Sequence, residues 1–344
     1  MRVAFDTRPS SDANGLGRYS RCMLRALRET AANGDEILET QHGSAFARSL
    51  GADVFHAPWM SGALLHSPCP MVVTVHGLAP LKRRSEHLRG GLRMRLRHLA
   101  VQRAERVIVP TQAVADDALT HLGLDEERIV VIPEAADESM YPRPPAEVAA
   151  ARARLHLPDR YLVWVGGLEH PDPGRHVAEL ASAQRDLPLV LVGRPGAWAR
   201  ELPGVILTGL LADDDLAAVY TGAHALVLPS EGDGFGLPAV EALACGTPVV
   251  AFGSPALREV LGDRATFVDP GDFDGLLAAA HSVARPAPAP SSWTWQDAAA
   301  ASWGVYATAR DSMPAQHPAP RRARRPRRGP LPPRPERIDG LEPQ

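Results

Sequence analysis

Cysteine is scarce in this sequence. Cys22, Cys69 and Cys245 stand far apart with no paired spacing. That excludes a disulfide framework and a cysteine-based zinc site, and it fits a reducing compartment. Long apolar runs are missing too. Nothing approaches the roughly 18 consecutive apolar residues of a membrane span. The opening Met1-Arg2-Val3-Ala4-Phe5-Asp6 is too short an apolar stretch for a secretion signal. A cytoplasmic protein is expected. The body also lacks excess positive charge. The net charge is −3, yet residues 313–344 hold eight Arg against three acidic residues, so the rest is more acidic than the total suggests. This argues against nucleic acid as a partner of the folded part. Residues 313–344 carry nine of the 33 prolines and almost no apolar side chains. Such a segment buries too little surface to offset its ordering entropy and is expected to be a disordered tail. Its basic run Arg321–Arg328 fits either a solvated tail or a contact with anionic lipid or RNA.

What is present is a soluble globular composition, 45% hydrophobic and 22% charged, in a chain of 344 residues that exceeds one ordinary core. Short apolar runs alternate with helical patterns. Strands are expected at Arg2–Phe5, Val54–His56, Val72–Val75, Val107–Val109 and Ile129–Ile132. A second series is expected at Tyr161–Val165, Leu189–Val192, Val205–Leu207, Ala225–Leu228, Pro248–Ala251 and Ala265–Val268. The runs are continuous rather than alternating, as in parallel strands covered on both faces. Helices are expected between them, among them Gly17–Glu29, Leu92–Ala104, Ala113–His121, His176–Asp186, Asp213–Thr221 and Pro238–Cys245. The fold class is therefore α/β, with two doubly wound, Rossmann-like domains. The proline-rich stretch Tyr141–Pro145 marks the break. The expected division is a domain over 1–135, a linker over 136–147, a second domain over 148–284, and a return segment over 285–312. That segment ends in a helix anchored by Trp303 and Tyr306, and the tail follows it.

Ligands of such sheets bind beyond the carboxyl ends of the strands. The densest signal there is the string from Leu228 to Pro248, which reads strand, glycine loop, helix, glycine turn, strand. Gly232, Gly234 and Gly236 let the backbone approach a ligand. Pro238 suits a first helical turn. The free N–H groups of that turn favour an anion or sugar hydroxyls. Asp233 lies in the loop and Glu241 one turn into the helix, with seven residues between them. Two such carboxylates accept hydrogen bonds from paired hydroxyls, a chemistry suited to a sugar and a ribose.

The segment resembles the signature of the retaining glycosyltransferases of family 4, which have the two-domain GT-B fold. Their pattern is Glu, seven residues, Glu, around Glu-Gly-Phe-Gly-Leu-Pro. Here Gly234-Phe235-Gly236-Leu237-Pro238 and Glu241 match. Asp233 stands at the first Glu position, with Glu231 two residues earlier. The resemblance spans about residues 1–312. It implies a transfer from a nucleoside diphosphate sugar to a hydroxyl acceptor, a glycan or lipid-linked glycan, with the anomeric configuration kept. Asp233 would hold the transferred sugar, with Glu231 as the alternative carboxylate, and Glu241 the ribose. Gly234, Phe235, Gly236 and Leu237 would line the donor. Gly15-Leu16-Gly17 resembles the family's N-terminal glycine loop, so Gly15 and Gly17 would meet the diphosphate. His76, after Val73-Thr74-Val75, would lie beside the reacting sugar, with Gly77 where the family often has Asp. After the first strand of the second domain the family has Gly-x-Leu-x-x-Arg-Lys-Asn. This chain has Gly166-Gly167-Leu168-Glu169-His170-Pro171-Asp172, so Gly167 fits and the two basic positions do not. Arg175 and Arg194 are the substitutes expected for the diphosphate.

The resemblance implies front-face substitution, in which the leaving diphosphate takes up the acceptor proton, with no cofactor and no metal. A hexosyltransferase, mannosyl- or glucosyl-, is expected. The rival readings are a non-catalytic sugar-nucleotide binding protein and another GT-B enzyme such as a phosphorylase or an epimerase. The Lys82-Arg83-Arg84 cluster reads as a solvated loop or as a contact with an anionic or lipid-linked acceptor. In the second case the protein would sit peripherally on the inner membrane surface.

Overall fold

The computed structural model describes residues 1–12, 14–41, 51–78 and 94–312. The Lys82-Arg83-Arg84 cluster and the tail 313–344 lie outside the described residues. Two six-stranded parallel sheets form the frame. In the first, β1 (Arg2–Asp6), β2 (Glu36–Thr40), β3 (Val54–Ala57), β4 (Met71–Thr74), β5 (Arg106–Val109) and β6 (Ile129–Val131) take the order β2-β1-β3-β4-β5-β6. The second holds β7 (Leu162–Val165), β8 (Leu189–Val192), β9 (Val205–Gly209), β10 (Ala225–Leu228), β11 (Val249–Phe252) and β12 (Thr266–Val268). Their order is β12-β11-β10-β7-β8-β9. The central strands β3, β4, β8, β10 and β11 are buried at every residue. That is why they read as unbroken apolar runs. Each sheet reverses its winding once, between β1 and β3 and between β7 and β10. The loops that open a crevice therefore follow those strands.

Three differences from the expected elements have local causes. β2 carries Glu36 and Glu39 on a mostly uncovered edge, so its sequence shows no apolar run. Pro144 and Pro145, expected to extend the linker, instead open a helix, Pro145–Leu155, with proline in the first turn, where no N–H is needed. The helix expected over His176–Asp186 is shorter, Val177–Ser182, because His176 adopts a left-handed backbone (φ 50°) and Ala183 is extended.

The helix Trp295–Asp311 opens with a capping box between Thr294 and Asp297 and returns to the first lobe. Trp303 Nε1 donates to Leu27 O at 3.3 Å, and Trp293 Nε1 donates to Pro133 O at 2.9 Å. Its Tyr306 ends a buried polar chain. The Tyr306 hydroxyl lies 2.6 Å from His56 Nδ1, and His56 Nε2 lies 2.9 Å from Thr74 Oγ1. Thr74 Oγ1 in turn is 3.1 Å from the Tyr19 hydroxyl. Burial pushes the His56 imidazole down to about 3, with His76 adding to the effect, so the chain runs through a neutral ring. Tyr306→Phe should leave His56 Nδ1 buried without a partner and lower the unfolding free energy by about 1–3 kcal/mol in urea denaturation. A loss under half a kcal/mol would mean that the chain contributes no stability.

Candidate active site

Between the carboxyl ends of the two sheets lies a cavity of about 650 Å³, within the size range of small-molecule sites. Five segments line it, one of them Glu134 beyond β6. Asn14, Gly15 and Leu16 open the helix Gly15–Glu29, and His76 and Gly77 follow β4. Gly166, Gly167 and Arg175 follow β7, and Ser230 with Gly232–Pro238 follow β10.

The loop after β10 meets the first lobe at a distance that only glycine permits. A Cβ on Gly234 would fall 1.6 Å from the carbonyl oxygen of His76. The Thr111 hydroxyl donates to Gly234 O at 3.0 Å across the same junction. Gly236 has φ +87° and precedes the helix Leu237–Ala244, which carries Pro238 in its first turn. Phe235, Gly236 and Leu237 all line the cavity.

Asp233 stands half-buried in this loop and faces the cavity. Loss of water raises its carboxyl pKa, partly countered by Arg175 and the Ser230 hydroxyl. Glu231, its alternative, does not line the cavity. It turns away, with its carboxylate 3.2 Å from His176 Nε2. Arg175 lines the cavity and lies 3.5 Å from Asp172 Oδ2. Arg194 is exposed outside it, so of the two substitute arginines only Arg175 is brought to the site. Gly15 and Gly167 line the cavity and Gly17 does not. The Gly17 N–H is taken by the Asn14 side chain at 3.1 Å, and its missing Cβ clears Asp12 O by occupying no space. Its role is to let the turn close.

His76 is fixed from both ends. Nδ1 lies 2.8 Å from Glu134 Oε1 and Nε2 lies 2.9 Å from Pro58 O, while the Tyr19 ring packs edge-on at 4.4 Å. A carbonyl only accepts, so Nε2 carries a proton. The contact with Glu134 then needs a second proton, on the ring or on the carboxyl. The His76–Glu134 pair is thus neutral as a unit. Glu134 also lines the cavity. Nothing local in the sequence shows that Glu134 reaches His76, 58 positions earlier in the chain.

The expectation that both acidic groups of the signature face the crevice holds for Asp233 alone. Glu241 is 2% exposed and does not line the cavity. Arg18 covers it from the first lobe, with Nε 2.9 Å from Glu241 Oε1 and Nη2 donating to Asp213 Oδ1 at 2.6 Å. The pair is close but misaligned, because Oε1 makes no hydrogen bond. The Tyr220 hydroxyl donates to Oε2 at 3.3 Å. Burial pushes the Glu241 carboxyl up to about 7, although Arg18 pulls it down. The folded protein then holds a proton between pH 4.5 and 7 that the unfolded chain releases. This group's contribution to stability is therefore greatest at low pH and falls as pH rises through that window. Glu241→Gln should remove a decline of up to about 3 kcal/mol, read as the difference in unfolding free energy from wild type at pH 5 and pH 7.5. A difference independent of pH would refute the elevated carboxyl.

Residues 159–285 match the family described as Glycosyl transferases group 1, and residues 40–139 match Glycosyltransferase Family 4. The chain is 32% identical over 180 residues to the 2-deoxystreptamine glucosyltransferase of Streptomyces kanamyceticus, covering 47% of this chain and 46% of that protein. It is 31% identical over 267 residues to the D-inositol 3-phosphate glycosyltransferase of Mycolicibacterium vanbaalenii, covering 66% and 59%. It thus spans about half of the length of these curated relatives. Among solved structures, Anabaena Alr3699/HepE in complex with UDP-glucose superposes with a TM-score of 0.63 at 18% identity, over 90% of this chain and 97% of that one. Sucrose-phosphate synthase from Thermosynechococcus elongatus gives 0.64 at 20% identity, over 90% and 93%. The sequence matches fall on both sheets and the structural ones on the whole two-sheet frame: both halves of the chain match glycosyltransferase families, and the chain has the GT-B fold.

Proposed function

We propose that the protein is a retaining glycosyltransferase that moves a hexose from a nucleoside diphosphate sugar to a hydroxyl of a glycan or lipid-linked glycan. The observation that carries this is Asp233. It sits in a glycine loop at a helix start and faces a crevice that also receives Arg175 from its own lobe and His76 from the other. A carboxylate there accepts sugar hydroxyls, while the first turn of the helix and Arg175 attract a diphosphate. Glu241 has a buried carboxylate oxygen without a hydrogen bond, the condition of an acceptor awaiting a hydroxyl, and we assign it to the ribose. His76 borders the reacting end of the sugar. In the transfer the bond from the anomeric carbon to the diphosphate oxygen breaks on the face where the acceptor oxygen bonds. The departing diphosphate takes the acceptor proton. Closed lobes keep water from intercepting the sugar. The relative named for glucosyl transfer and the HepE complexes with UDP and UDP-glucose favour a hexose donor.

The test is a panel of UDP-, GDP- and ADP-hexoses with glycan and lipid-linked acceptors, read as acceptor-dependent release of nucleotide and as the anomeric configuration of the product by NMR. Release with retained configuration is expected. Tight donor binding without transfer, or an inverted product, would overturn the proposal.

A further inference from the structure

Among its described residues, the crevice is short of positive charge for the donor assigned to it. The His76–Glu134 pair is neutral as a unit. Glu169, Asp172 and Asp233 also line the cavity. Arg175 is the only arginine or lysine among the described residues that line it, and it already lies beside Asp172 and acts on Asp233. A diphosphate entering here would meet more carboxylates than cations. Among the described residues, a second cation would have to come from just outside the lining.

Arg18 is the side chain placed to supply it. It follows directly on the turn whose Asn14, Gly15 and Leu16 line the cavity. Its side chain is 13% exposed and crosses to the second lobe, where it meets Asp213 and Glu241. The Asp213 partner is half exposed to water, so that contact holds Arg18 weakly. The Glu241 contact is misaligned, as described. Arg18 and the donor ribose also compete for one carboxylate, because Arg18 covers Oε1 of the buried Glu241 and Tyr220 takes Oε2. Once hydroxyls take Glu241, the guanidinium is displaced next to the turn that borders the phosphates, and a planar fork of donors suits phosphate oxygens. We propose that Arg18 is a donor-phosphate ligand supplied by the N-terminal lobe, held on Glu241 and Asp213 in the empty protein and released when the ribose replaces it. The inference rests on the nucleotide-sugar reading above and names a residue that it leaves out.

Calorimetry with the full-length protein separates the two. UDP, GDP and ADP are titrated first, and the tightest is paired with its parent nucleoside. Arg18→Gln should weaken the nucleoside diphosphate by roughly 10- to 100-fold and leave the nucleoside unchanged or tighter, since Glu241 is vacated. Arg18→Lys, which keeps a charge, should show a partial loss and serves if the Gln variant does not fold. A nucleoside diphosphate bound as tightly by Arg18→Gln as by wild type would overturn the phosphate role and leave Arg18 a lock alone. A parallel loss of both ligands would overturn it as well, as a structural effect. Wild-type protein that binds none of the three nucleotides would defeat the nucleotide-sugar reading itself, and this inference with it.

Discussion

Asp233→Asn is expected to lower the turnover of sugar transfer by about two orders of magnitude, the scale on which one preorganised polar group at a reacting centre acts. The substitution keeps the shape of the side chain and an oxygen that can accept from Ser230, but it removes the charge. Within the loop, Asp233 is the acidic residue that faces the crevice. Its partners Arg175 and Ser230 hold it toward the ionised form against the cost of burial. Nucleotide affinity should change by only a few fold, because the ribose and phosphate contacts lie elsewhere. Glu231→Gln is the matched control. That carboxylate is half exposed and spends itself on His176, so turnover should stay within about twofold. Steady-state nucleotide release at saturating acceptor reads both. Full activity in Asp233→Asn, or the large loss appearing in Glu231→Gln instead, would reassign the sugar-holding role.

That choice between Asp233 and Glu231 marks where the sequence stops being legible. Continuous apolar runs mark eleven of the strands, most plainly β3, β4, β8, β10 and β11, which are buried at every residue, because burial writes itself into residue type. The edge strand Glu36–Thr40 is half exposed and wrote nothing. The glycine loop, the helix it opens and the placement of His76 were readable because each depends on local backbone chemistry after a strand. Two carboxylates of one loop, by contrast, look equivalent until the fold turns Glu231 toward His176. Arg18 and Glu134 were missed as site residues for the same reason. An arginine on a first helical turn reads the same whether it meets water or Glu241, 223 positions away in the chain by its contact with that residue. Glu241 was readable as a residue of the site and unreadable in its enclosure, since the cover comes from the other lobe.

The approach of the lobes supplies the second large effect, and it is testable with one methyl group. Gly234→Ala should reduce turnover by about 100-fold or more. The added Cβ would lie 1.6 Å from His76 O and 2.7 Å from its carbonyl carbon. Those are backbone atoms, so no rotamer change relieves the clash. The loop has to withdraw from the first lobe, which breaks the Thr111–Gly234 hydrogen bond and moves Asp233 away from His76. A displacement of about 1 Å at a reacting centre is enough for a loss of that size. Gly77→Ala lies at the same junction, yet its Cβ would sit 3.7 Å from Gly234, an ordinary contact, and should be tolerated within a few fold. Binding of the nucleoside alone, assigned to Glu241 of the second lobe, should survive in both variants and shows that each is folded. Wild-type turnover in Gly234→Ala would mean that the tight junction seen between His76 and the glycine loop is not the form in which the sugar moves.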